Sequence, residues 1–284
     1  MIPEEPRAHG KLLLEDLVFH TITLNRRLFN PTLLRHRSFD GHIVSMHQSG
    51  FHWLKNMLSY ILIAAYDLPP MQHIQDNSII GHTKSPPKYN FIPGIVHSHS
   101  HPHLFTLGLP FLHFPNYLVL VRDLRTSLIS HYERFRIRYG NISFTEYLRG
   151  DIYQKKFFSD IYSRIRFLNE WGRIIEKKDN RITFVRYEDL LAEPANSLQK
   201  ICIFFDVNNV SDKNISDAIY ENSREKMMER ANPQQKTNIV RPESDSSVED
   251  YFDHENQGFF DVICNRYLLY DFGYNYSTGK HHLG

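Results

Sequence analysis

Four histidines alternate with other residues at 97, 99, 101 and 103, inside the run GIVHSHSHPHLF at 94–105. In an extended segment a period of two puts all four on one face. Three chemistries suit such a row. Neutral imidazoles ligate a metal such as zinc, a single imidazole serves as a general base near neutral pH, and polar loop histidines simply hydrogen-bond. Ligation by close neighbours alone is sterically awkward, and no Asp or Glu follows at close spacing to complete a ligand set. A second candidate is the pair Arg122 and Ser130. A guanidinium brings charge and bidentate geometry, and a hydroxyl adds a neutral donor, so the two suit a terminal phosphate. The plainer alternative is a surface ion pair of Arg122 with Asp123 or Glu133, beside an idle serine. The third candidate is the short polar loop around Gly50, where backbone must turn and approach something closely.

The elements that must position these residues follow from the apolar pattern. Ile43, Val44 and Met46 give a short buried strand over 42–46. From Trp53, the positions Leu54, Met57, Leu58, Ile61, Leu62 and Ala65 keep helical spacing until Pro69 and Pro70 stop it. A strand feeding a helix through a polar loop leaves backbone N–H groups and a positive helix end for an anion, although many such turns hold no ligand. Tyr117 to Val121 forms a second strand, with Arg122 at its end and Ser130 in a helix that begins at Ser127. Ser143 and Glu146 have capping-box spacing, and Ile161, Ile165, Leu168 and Ile175 lie broadly on one side of a helix over 161–176. A third strand, 182–186, closes at Tyr187-Glu188-Asp189, and Leu198, Ile201, Cys202 and Phe205 give a further helix its buried face. Strands alternating with helices predict an α/β fold, a central parallel sheet flanked by helices in three layers. Ligands in such sheets gather beyond the carboxyl ends of strands, so Gly50, Arg122 and Tyr187 are expected to face one crevice. Residues 1–40 read as short helices or a strap, 72–93 as a long surface loop, 223–253 as a polar loop that folds over a ligand, and 257–276 as a final docked helix.

The totals set bounds. A chain of 284 residues most simply makes one domain with a sizeable core. A net charge of +1 gives no global field for nucleic acid or acidic membranes. Seventeen histidines make that charge sensitive to pH. Cys202 and Cys264 alone provide neither a disulfide framework nor a cysteine metal site. The acidic N-terminus lacks the form of a signal peptide and no window is apolar enough to span a membrane, so the expected setting is cytoplasmic.

Together these segments resemble the sulfotransferases of the cytosolic type, which use 3′-phosphoadenosine 5′-phosphosulfate (PAPS). The likeness runs over about 43–274, most of the chain. His47-Gln48-Ser49-Gly50-Phe51-His52-Trp53 resembles the family's 5′-phosphosulfate loop PKSGTTW, a P-loop-like turn. Leu120 through Ser130 resembles the 3′-phosphate motif, with arginine and serine at the family spacing. The run FVRYEDL at 184–190 and the ending FDVICNRYLLYDFGY at 260–274 also resemble family segments. The resemblance implies that Gln48, Ser49, Gly50 and the following backbone N–H groups of Phe51, His52 and Trp53 cradle the 5′-phosphate. It implies that Trp53 stacks on adenine beside Tyr187, and that Arg122, Ser130 and Arg241 hold the 3′-phosphate. His99 falls on the family's base histidine, with His101 as nearest competitor in register, and the product is 3′,5′-adenosine bisphosphate (PAP). The implied domains are an N-terminal extension over 1–40, the α/β domain over 41–276 and a short flexible tail over 277–284. The expected acceptor is a partly apolar, hydroxylated small molecule, in a pocket drawn from 71–93, 104–114 and 139–153. No metal, nucleic acid or membrane span is implied.

The sequence also departs from the family pattern. Gln48 replaces the loop cation, with His47 or His52 as substitutes; Arg224 stands near the adenine where a phenylalanine is usual; Pro242 and Glu243 follow Arg241 in place of lysine and glycine. A PAPS- or PAP-binding protein with weak or lost catalysis is therefore the second expectation. A metal-dependent hydrolase built on His97, His99, His101 and His103 is the third. A Walker-type kinase is disfavoured, because the lone Gly50 does not supply the two-glycine, lysine-containing loop.

Overall fold

Five parallel strands, β1 (Gly41–Ser45), β2 (Gly81–His82), β3 (Ile95–Ser98), β4 (Asn116–Val121) and β5 (Ile182–Arg186), lie in the order β2-β3-β1-β4-β5. This is a computed structural model, and it describes residues 6–28, 39–82, 84–102, 114–230 and 247–276. The helices among them are α1 (Pro6–Leu28), α2 (Phe51–Tyr66), α3 (Leu124–Phe135), α4 (Phe144–Arg149), α5 (Ile161–Ile175), α6 (Tyr187–Ala192), α7 (Pro194–Phe204), α8 (Asp212–Glu221), α9 (Arg224–Glu229) and α10 (His254–Tyr267).

Alternation along the strands makes three layers. On β4, Tyr117, Val119 and Val121 join a core with α3, α4, α5 and α10, whereas Leu118 and Leu120 join a second core with α2, α7 and α8. On β1, Val44 faces the first core and Ile43 the second. A sheet covered on both faces needs apolar strands, which is why these runs were legible. Each fully buried Val, Leu or Ile contributes about 1.5–3 kcal/mol. His42 interrupts β1 yet is fully buried; its Nε2 meets Ser98 Oγ at 3.0 Å and its ring stacks on Tyr117.

Several expectations need correction. The N-terminal segment is one 23-residue helix, not short pieces. Its Leu13, Leu14, Leu17 and Leu24 are exposed while Phe19 packs on Tyr267 and Asp16 pairs with Arg266, so no core-facing period was there to read. Helix α3 starts before Ser127, because Asp123 caps it by accepting from Thr126 N at 2.9 Å. Tyr187 opens α6 rather than merely ending β5. The polar stretch after Asn222 contains α9. The last helix runs from His254 to Tyr267, and the chain beyond it turns back, so that Tyr276 Oη donates to Asp123 at 3.0 Å and accepts from Leu124 N. The 72–93 stretch is anchored, with Ile74, Ile79, Ile80 and Ile92 buried.

Candidate active site

β1 is central, and the strand order reverses at its border with β4, which places a crevice beyond their carboxyl ends. The loop leaving β1 is bent by two left-handed residues, Gln48 (φ 63°) and Gly50 (φ 82°). Ser49 is buried and its hydroxyl donates to Met46 O at 2.6 Å, so it holds the loop's shape. Arg122, at the end of β4, donates from Nη1 to Gln48 O at 3.1 Å and ties the two strand ends together. Its guanidinium lies 4.5 Å from the centre of the Tyr187 ring, and Tyr187 meets Trp53 edge to face at 6.0 Å. The close approach anticipated at Gly50 is to Tyr187: a Cβ at Gly50 would sit 2.3 Å from that ring. Trp53 Nε1 donates to Asn222 O at 3.0 Å. Gly50, Trp53, Arg122 and Tyr187 therefore share one corner. Within it, Arg122 Nε is buried without a hydrogen-bond partner, and burial pulls the Arg122 pKa down.

The remaining predicted binding residues lie around this corner. Phe51 is buried against the His97 ring, leaving only its backbone for a ligand. His52 is half-buried, and burial followed by the Lys55 charge lowers its pKa to about 3. Ser130 is half-buried on the second turn of α3. Lys55 points elsewhere, donating to Asn77 Oδ1 at 2.7 Å. Arg241 and His103 lie outside the described residues, as do the predicted acceptor segment over 104–113 and the tail.

His97, His99 and His101 do not share a face, because β3 ends at Ser98 and the period of two ends with it. His97 packs against Phe51 and His82. His99 turns to β1: its Nδ1 lies 2.7 Å from Ser45 O. A carbonyl only accepts, so Nδ1 carries the hydrogen, and Nε2 is left as the nitrogen that can take a proton. His101 Nε2 instead accepts from Arg26 Nη1 at 2.8 Å, and burial with the Arg26 charge lowers its pKa to about 3. His47 stacks on His99 with ring centres 3.9 Å apart. Burial, then the neighbouring His99 and Arg164 charges, push His47 well below the ordinary histidine range. Among the described residues, no group of three or more His, Cys, Asp or Glu side chains is placed to hold a metal.

His47 and His99 open onto a cavity of about 390 Å³ whose lining includes Ser45, His101, Phe158, Ser159, Arg164 and Phe167. His99 is exposed to this space while protein encloses it; that enclosure lowers its pKa, with the charges of His82, Arg164 and Arg134 adding and the Ser45 hydrogen bond opposing. Behind His99, Trp171 is buried and its Nε1 donates to Ser100 O at 3.1 Å, fixing the turn after β3. The sequence reading missed Arg26, Phe158, Ser159 and Arg164. A signal existed for Arg164: it falls between Ile161 and Leu168 on the core-facing side of α5, where a cation is out of place without a task.

Comparison with known proteins agrees with this fold. The family model described as "Sulfotransferase domain" matches residues 40–273. Among solved structures, the mouse sulfotransferase SULT7A1 complexed with PAP is similar at 18% identity and a TM-score of 0.52, over 84% of this chain and 89% of that one. Retinol dehydratase in complex with retinol and PAP is similar at 15% identity and a TM-score of 0.55, over 83% of each chain. The same enzyme with androsterone and PAP aligns at 17% identity, a TM-score of 0.53, and 83% and 82% coverage. No curated protein matches the sequence. At these identities the structures speak to the fold alone.

Proposed function

Because the chain belongs to the sulfotransferase domain family, we propose that it transfers a sulfuryl group from PAPS to a hydroxyl of a small-molecule acceptor, with His99 as general base. The observation that carries this reading is the fixed tautomer of His99 beside the phosphosulfate-type loop. The residues present fit the nucleotide: a buried Arg122 Nε without a hydrogen-bond partner, two aromatic rings at its side, and the leading N–H groups of α2 at Phe51 and His52, ahead of Trp53 N, which donates to Gly50 O at 3.0 Å. PAPS bound here would supply the sulfuryl group, with PAP as the product. Arg122 and Ser130, with Arg241, hold the 3′-phosphate; Ser49, Gly50 and the N–H groups of Phe51, His52 and Trp53 receive the 5′-phosphate; Trp53 and Tyr187 flank the base. His99 Nε2 would take the acceptor's hydroxyl proton, and Gln48 would donate a hydrogen bond toward the oxygen that bridges phosphate and sulfuryl group. That retinol dehydratase is crystallised with retinol and with androsterone supports a small-molecule acceptor here. Buried free thiols at Cys202 and Cys264 fit a reducing, cytoplasmic setting.

One observation favours the second reading, a nucleotide-binding protein with weak turnover. Gln48 carries no charge, and His47 and His52, the two substitutes, are both held neutral at pH 7. Calorimetry with PAP and single-turnover transfer from labelled PAPS separate the two. We expect PAP to bind, Arg122→Ala to weaken it at least ten-fold, and His99→Ala to cut transfer by about 10²–10⁴ with PAP affinity intact. Binding without turnover, restored by Gln48→Lys, favours the second reading. Loss of transfer from His101→Ala with His99→Ala harmless overturns the base assignment, and failure to bind PAP overturns both.

A further inference from the structure

From the charge lining the cavity, we infer that the acceptor carries an anionic group beside its reacting hydroxyl, and that Arg164, assisted by Arg26, holds it. The inference rests on the transferase reading above and narrows its acceptor class.

Arg164 is 1% exposed, yet its hydrogen bonds go only to neutral oxygens: Nε to Ser127 Oγ at 3.1 Å, Nη1 to Ser159 Oγ at 2.7 Å and Asp160 O at 3.4 Å, Nη2 to Ser127 O at 3.3 Å. Arg26 likewise meets the neutral partners His101 and Gln154. Behind them Arg166 is fully buried, donates from Nη2 to Ile152 O at 2.9 Å, and has no partner for Nε or Nη1. Two acids reach this group: Asp160, whose carboxylate accepts from Asp151 N at 2.7 Å and Ser163 N at 2.9 Å and whose pKa burial raises, and Asp151, whose charge reaches Arg166 while its carboxylate accepts from Tyr153 N, Lys155 N and Lys156 N. Three guanidiniums thus stand against two carboxylates, each already engaged by backbone N–H groups. A buried cation satisfied only by dipoles is costly, and the cost is relieved by an opposing charge. Among the described residues, no carboxylate lines the cavity itself. The matching charge is therefore supplied by what enters it, a carboxylate or a sulfate or phosphate ester. The volume admits one small molecule rather than a polymer, and Met46, Phe158 and Phe167 offer apolar walls for its body.

The test uses PAP-loaded protein and three probe pairs, each a hydroxylated acid and its methyl ester: 4-hydroxybenzoate, 3-(4-hydroxyphenyl)propanoate and glucuronate. Calorimetry should show at least one acid binding about ten-fold or more tightly than its ester. Arg26→Gln and Arg164→Lys should each shrink that ratio while PAP affinity stays the same, a pattern that general loosening of the fold would not give. Phenyl phosphate and phenyl sulfate, against phenol, distinguish an ester anion from a carboxylate. If no anion out-binds its neutral partner, the inference fails, whether or not PAP binding and sulfuryl transfer stand. Equal binding together with slower transfer in Arg164→Lys would put the cation on the sulfuryl group in flight, and would also overturn it.

Discussion

His99 works as a base only while its ring is neutral, so the charges around it decide the pH at which turnover begins. Burial first, then His82, Arg164 and Arg134, pull its pKa below 6.5, while the Ser45 carbonyl pulls the other way. In the proposed role the deprotonated form is the active one, so activity should be lost as pH falls through that lowered value and stay flat through neutrality. A kcat profile should show its acid limb below pH 6.5, and Arg134→Gln should move the limb upward. A wild-type limb above pH 7 would remove His99 from the role. The same residue shows why single-residue roles were only half legible. The repeat of histidines hid which one mattered, because the spacing is uniform. What separates His99 from His101 is the partner each finds, a carbonyl of β1 or a guanidinium of α1, and neither partner is near in sequence.

At the scale of elements, the corner beside the loop depends on β1, α2 and α6 meeting without a side chain between them. Gly50→Ala drives a Cβ into the Tyr187 ring. Tyr187 must then move, taking its stacking on Arg122 with it. PAP affinity should fall about ten-fold and stability by about 1–3 kcal/mol. Gly140→Ala is the control: Gly140 shares the φ of 82° but has open space around its Cβ position, so it should cost about 1 kcal/mol and leave PAP binding alone. Equal effects from the two would mean that backbone strain, not contact, governs the corner. Elements set deep in the core were readable, since β1, β4 and α2 must be apolar to lie where they do. Helix α1 was not, because its exposed leucines carry no core-facing period, and neither was α9, a short helix in a polar stretch.

For the whole molecule, the histidines couple folding to acidity. Burial, the largest cause in each case, lowers His97 to about 2 and His52 and His101 to about 3. In the unfolded chain each titrates near 6.5, so below that pH the unfolded state binds more protons. Stability is therefore full above pH 6.5 and falls with pH, by about 1.4 kcal/mol per unit for each such residue until its folded pKa is reached. Urea unfolding should show a clearly lower midpoint at pH 5.0 than at pH 7.5, with or without PAP. Equal midpoints would mean that these rings take up protons in the native state. Composition disclosed the number of histidines but not their burial, which follows from packing three layers around the strand ends.

The chain's two tryptophans divide between the two halves of the site. Trp53 borders the nucleotide corner through Tyr187 and Asn222. Trp171 sits in the core, tied to the turn that carries the base. Intrinsic fluorescence thus has one emitter beside the proposed donor corner and one behind the proposed acceptor cavity, and replacing either with phenylalanine isolates the other. Donor arrival and acceptor arrival become separate optical events in an unlabelled protein, so the order in which the two partners bind can be followed in time.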